Sequence, residues 1–168
     1  MKKTGIFRVI APVLLVFWMI LIFILSAENA EQSSETSAGF SYWLFSVIYP
    51  DFNDMDSAAQ HTLLAQFSFI IRKAAHFTLY FILGILAFLN TQAFLRIKLR
   101  FKTLLSFGFS VLYAASDELH QLFVPGRAGQ IRDVAIDGCG AFLGIVICIF
   151  IYKGVERKNA KKGVNATE

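Results

Sequence analysis

The sequence predicts an all-α integral membrane protein: four transmembrane helices, both termini cytoplasmic, and an extracellular interfacial helical segment between helices one and two. Three observations predict it. Hydrophobic residues make up 56% of the 168 residues and Phe alone accounts for 18, an excess for a soluble chain of this size. Apolar runs fall near residues 9–27, 74–95, 103–123 and 134–152, each close to the ~20 residues that cross a bilayer. Finally, most Lys and Arg residues flank these runs in the alternation expected of cytoplasmic loops. The chain reads as one domain over residues 1–168.

The first run is preceded by Lys2, Lys3 and Arg8. It is longer than a typical signal-peptide core and lacks a good cleavage site, so a retained helix is expected. Residues 26–38 are polar and acidic, rich in Ser, and read as a mobile loop. Tyr42, Trp43, Phe45 and Tyr49 then form an uncharged aromatic cluster suited to a membrane surface. Pro50 ends it, and Asp56 is placed to cap a following helix. Arg72-Lys73 separates that helix from the second span. Arg96, Lys98, Arg100 and Lys102 mark a cytoplasmic loop, and the third span follows. Residues 103–115 are too short to cross alone, so this span must include Asp117-Glu118-Leu119-His120-Gln121. Pro125-Gly126-Arg127-Ala128-Gly129 is a turn. The fourth span carries Asp137, and the basic tail from Lys153 is expected to fray.

Of the 16 Lys and Arg residues, only Arg72, Lys73, Arg127 and Arg132 fall on the outer side of this scheme. Asp117, Glu118, Asp133 and Asp137 belong to the same end. An Asp at membrane depth costs roughly 2.5–3.5 kcal/mol on insertion scales, so such groups face a partner or a cavity. At the helical rise, His76 lies about 5 Å inside Lys73 and Asp137 about 6 Å inside Asp133, while Asp117 sits about 10 Å below the outer end. Three segments thus bring polar groups to one layer.

Helical periodicity selects which of these point together. Arg72, His76 and Tyr80 share one stripe, continued by Gly84. Tyr113, Asp117, His120 and Gln121 share another, and Asp133, Asp137, Gly140 and Gly144 a third. Glu118 points about 100° from Asp117, where it can pair with a base. The glycines are better read as helix packing than as ligand contacts. His76, Asp117, His120 and Asp137 are the candidates for acid–base chemistry, because small shifts carry a histidine across neutral pH. Arg72, Lys73, Tyr80, Glu118, Gln121, Arg127, Arg132 and Asp133 are candidates for ligand binding, Arg being a bidentate reader of phosphate or carboxylate.

Other classes are disfavoured. The net charge of +4 sits at the ends of apolar runs instead of forming a basic patch, which argues against nucleic acid. No metal-ligand spacing appears, and no cofactor is assigned. Cys139 and Cys148 lie in one helix and cannot bridge each other.

Three blocks, Arg72-Lys73-Ala74-Ala75-His76-Phe77-x-x-Tyr80-x-x-x-Gly84, Ser116-Asp117-Glu118-x-His120-Gln121-x-Phe123-Val124-Pro125-Gly126-Arg127 and Arg132-Asp133-x-x-x-Asp137-x-x-Gly140, resemble the VanZ-like membrane protein family. The resemblance covers residues 72–152 and implies a multi-pass protein of the bacterial cytoplasmic membrane. It also implies a link to teicoplanin-type glycopeptide susceptibility.

Three readings stay open. The polar site binds an anionic group of a membrane lipid or lipid-linked cell-wall precursor at the outer leaflet. Alternatively, it is a hydrolase or transferase acting on a lipid-linked phosphate headgroup. The third is a charge network that only holds the helices together.

Overall fold

A computed structural model describes the backbone of residues 3–165 and the side chains of residues 6–159. Five α-helices follow in order: α1 Lys3–Ser26, α2 Ala30–Ile48, α3 Ser57–Phe94, α4 Leu99–Gln121 and α5 Ile131–Asn165. A 3-10 turn, Pro50–Asp54, joins α2 to α3. Lys2, Lys3, Lys161 and Lys162, which contribute to the charge pattern above, lie outside the described side chains.

Glycine sets the closest helix contact. A β-carbon on Gly84 would fall on the Ala141 carbonyl, one on Gly140 on the Phe77 carbonyl, and one on Gly144 on the Phe81 carbonyl. The backbones of α3 and α5 therefore touch along a seam that no larger residue permits. Against this pair, Ile22 of α1 and Ala114 of α4 join Tyr80 and Leu83 of α3 in a buried cluster. Side-chain hydrogen bonds to backbone carbonyls help fix α1 in place. Trp18 Nε1 donates to the Leu79 carbonyl at 2.8 Å, and the Tyr113 hydroxyl donates to the Met19 carbonyl at 2.7 Å.

Three helices among the described residues, α1, α3 and α5, are long and apolar enough to cross a membrane, not four. The exception is α4, the expected third span. It carries Arg100 and Lys102 near its start and a polar stripe, Ser106, Ser110, Asp117, Glu118 and Gln121, buried against its neighbours. Its polarity is used inside the bundle, which lowers its hydropathy below that of a span. The four-crossing alternation that placed both termini in the cytoplasm and the segment after helix one outside fails with it.

Two further expectations change. Residues 30–38 are not a loop but the first half of α2, started by Asn29, whose side chain accepts the Gln32 N–H at 2.8 Å. Ser33, Ser37 and Ser41 form its buried face, and their four-residue spacing lets Ser37 and Ser41 hydrogen-bond back to the preceding turn. Arg72-Lys73 does not interrupt α3, because charge alone removes no backbone hydrogen bond. The helix is continuous from its cap at Asp56 to Phe94. Its first half packs on α2 through Phe45 and Phe67, whose ring centroids are 4.7 Å apart, and over the fully buried Phe52. The basic tail likewise stays helical through Asn165. Both cysteines are free.

The seam makes a signed prediction. Gly108 has open space around its Cα, so Gly108→Ala should raise stability by up to about 1 kcal/mol through helix propensity. Gly144→Ala should instead lower it by about 1–3 kcal/mol through overpacking. Thermal unfolding in detergent, comparing the two variants, checks the sign.

Candidate functional site

The continuity of α3 matters because it carries Arg72, Lys73 and His76 past the mouth of the bundle on one helical face. The turn after α4 faces them. Gly126 adopts φ +73, a conformation that favours glycine, and the chain reverses to present Arg127. The start of α5 supplies Asp133. Between these elements lies a cavity of about 210 Å³ whose polar wall is Arg72, Lys73, His76, Gln121, Arg127, Gln130 and Asp133.

The charges on this wall are unevenly balanced. Lys73 is paired with Asp133 and sits 5.3 Å from the centroid of the Phe69 ring. Arg72 donates to the Ser34 hydroxyl at 2.8 Å, and its Nε is buried without a partner. Arg127 donates through Nε to the Glu28 carbonyl at 2.9 Å and through Nη1 to the Gln121 side-chain oxygen at 3.4 Å. Neither guanidinium is ion-paired with a carboxylate among the described residues. Burial, and then the neighbouring Arg72 cation, push the Arg127 guanidinium below its ordinary pKa. Two cations share a partly dry wall.

Behind the cavity is a layer of acids. Asp117 accepts from the Ser26 hydroxyl at 2.9 Å, and Gln121 Nε2 reaches Ser26 Oγ at 2.8 Å and Glu118 at 3.2 Å. Glu118 accepts the Gln130 backbone N–H at 2.8 Å, which ties the end of α4 to the residue before α5. Gln121 thus connects the acid layer to Arg127. Asp137 is fully buried, and neither of its oxygens has a hydrogen-bond partner among the described residues. His76 approaches it, Nδ1 to Oδ2 at 3.9 Å, and that Nδ1 is also unpartnered among the described residues. The fully buried Tyr80 hydroxyl, one turn along α3 from His76, is a third such group.

The sequence-derived candidates therefore sort into three places. Arg72, Lys73, His76, Gln121, Arg127 and Asp133 line the cavity. Asp117, Glu118, Asp137 and Tyr80 are buried. His120 and Arg132 stand apart: the His120 ring lies 4.5 Å from Phe23 of α1, and Arg132 is exposed. Glu118 meets a backbone N–H and an amide instead of the base expected for it. Sequence reasoning missed Ser26 and Ser34. Ser26 ends an apolar run and looks like the first residue of a solvated loop. Ser34 lies in the serine-rich stretch whose helical spacing was the overlooked signal.

An apolar groove of about 350 Å³ between α2 and α3, lined in part by Ala38, Leu64 and Ala65, shares Phe69 and Arg72 with the cavity. Among the described residues, no group of three or more His, Cys, Asp or Glu is placed to hold a metal ion.

A family model described as VanZ/LLP1 matches residues 12–152. The chain belongs to that family. The VanZ/LLP1 match reaches well ahead of the blocks that begin at Arg72, so Ser26 and Ser34 lie within the family region, as does every lining residue of the cavity. No curated protein and no solved structure matches the chain.

Removing the Ser26 hydroxyl takes a donor from a buried carboxylate, so Ser26→Ala should cost about 1–3 kcal/mol. A Ser26/Asp117 double-mutant cycle on unfolding in detergent should show coupling of at least about 0.5 kcal/mol.

Proposed function

We propose that this VanZ/LLP1 protein is a cell-envelope protein of the bacterial cytoplasmic membrane. Its cavity binds an anionic group, phosphate or carboxylate, of a membrane lipid or lipid-linked cell-wall precursor. One observation carries the reading: Arg72 and Arg127 face one cavity, and among the described residues neither is paired with a carboxylate. Adjacent cations in a partly desolvated wall repel each other, and an anion between them turns that repulsion into charge-assisted hydrogen bonding. Guanidinium forks suit the planar or tetrahedral oxygens of carboxylate and phosphate. The apolar groove that meets the cavity at Phe69 and Arg72 gives an attached hydrocarbon chain a path out. Sequestration or modification of such a precursor is how this reading accounts for a link to teicoplanin-type glycopeptide susceptibility.

The test uses hexadecyl phosphate and, as the uncharged control, hexadecanol, each titrated into the purified protein in zwitterionic micelles. The phosphate should bind and the alcohol should not. Arg72→Ala and Arg127→Ala should each weaken binding about 10- to 100-fold, the loss expected for one charged hydrogen-bonding group. Equal affinity for both probes, or arginine variants that bind like wild type and leave glycopeptide susceptibility unchanged, would sink the idea.

A further inference from the structure

Resting on that reading, we propose that His76 is the acid–base residue of a hydrolysis performed on a phosphate ester held by Arg72 and Arg127. Asp137 is its positioning residue. Among the three histidines of the chain, His76 is the one on the cavity wall. Asp137 lies directly behind it, out of reach of the cavity.

The orphaned groups define the arrangement. A buried carboxylate without hydrogen bonds is costly, and so is a buried ring N–H without an acceptor. Asp137 Oδ2 and His76 Nδ1 are such groups, 3.9 Å apart. Closing that gap by about 1 Å forms the hydrogen bond both lack, a tightening common when a substrate fills an empty site. The glycine seam holds the two helices that carry them in fixed register. A proton kept on Nδ1 by Asp137 leaves the lone pair on Nε2, the ring nitrogen not engaged by Asp137.

The chemistry balances with water as the only co-reactant. Nε2 takes a proton from water as the water oxygen bonds to phosphorus. The phosphorus–oxygen bond to the lipid alcohol breaks, and His76 returns the proton to the departing alkoxide. The products are the alcohol and inorganic phosphate, with no change of oxidation state. Arg72 and Arg127 offset charge on the phosphoryl oxygens during the transfer.

Two measurements test this. In 15N-histidine NMR of the protein in micelles above the imidazole pKa, His76, assigned by its loss in His76→Gln, should be the Nδ1–H tautomer. Asp137→Asn should shift it toward Nε2–H. A wild-type His76 in the Nε2–H form overturns the inference even if Asp137→Asn fails to fold. Hexadecyl phosphate supplies the second readout. Wild type should release inorganic phosphate, and His76→Gln should slow release at least about 100-fold while binding of the probe is retained. Binding without phosphate release would refute hydrolysis and leave the anion site standing. Loss of binding in the arginine variants with the tautomer intact separates the two claims.

Discussion

The contact between α3 and α5 organises the rest of the molecule. Gly84, Gly140 and Gly144 let the two backbones touch, and the carbonyls of Phe77, Phe81 and Ala141 occupy the space that β-carbons would fill. Such a seam has little freedom to slide. It fixes His76 against Asp137 and Lys73 against Asp133, two cross-helix pairs one turn apart on the same face. The small residues are not themselves the site. They are the reason that polar residues on two different helices meet at defined separations.

A second constraint follows from burial. Asp117, Glu118 and Asp137 are buried, so each needs hydrogen-bond donors where it lies. Asp117 and Glu118 are supplied by Ser26, Gln121 and the Gln130 backbone. That network fastens α1, α4 and the start of α5 together, and through Gln121 it holds Arg127 over the cavity. Asp137 is left unsupplied. The contrast separates the acids that hold the bundle together from the acid that, without a hydrogen bond among the described residues, stands 3.9 Å from a cavity-lining histidine. A purely structural charge network would be expected to satisfy its most buried member first.

Much of this was legible in the sequence, for an identifiable reason. On the four-span scheme, helical rise puts His76, Asp117 and Asp137 near one layer and periodicity puts Arg72 on the His76 stripe; the structure brings those segments together although α4 is not among the three span-like helices. Other features were hidden by composition. The serine-rich start of α2 reads as a loop because serine competes for backbone hydrogen bonds. Only the spacing of Ser33, Ser37 and Ser41 marks it as helix. Arg72-Lys73 suggests a boundary, yet side-chain charge removes no backbone hydrogen bond, so α3 runs through. The pentad on α4 also misled in part. His120 shares a helical face with Asp117 by periodicity, but the ring turns onto Phe23. The count of spans failed for a related reason: the residues that make α4 part of the polar interior are those that deprive it of a span's hydropathy.

In the proposed function, Arg72 and Arg127 together hold the anionic group. An experimental structure with a long-chain alkyl phosphate bound tests it most directly. The phosphorus should lie between the two guanidinium groups, with the hydrocarbon chain leaving past Phe69 along the groove between α2 and α3. Headgroup density elsewhere, with the two arginines unliganded and their hydrogen bonds to Ser34, Glu28 and Gln121 unchanged, would contradict it.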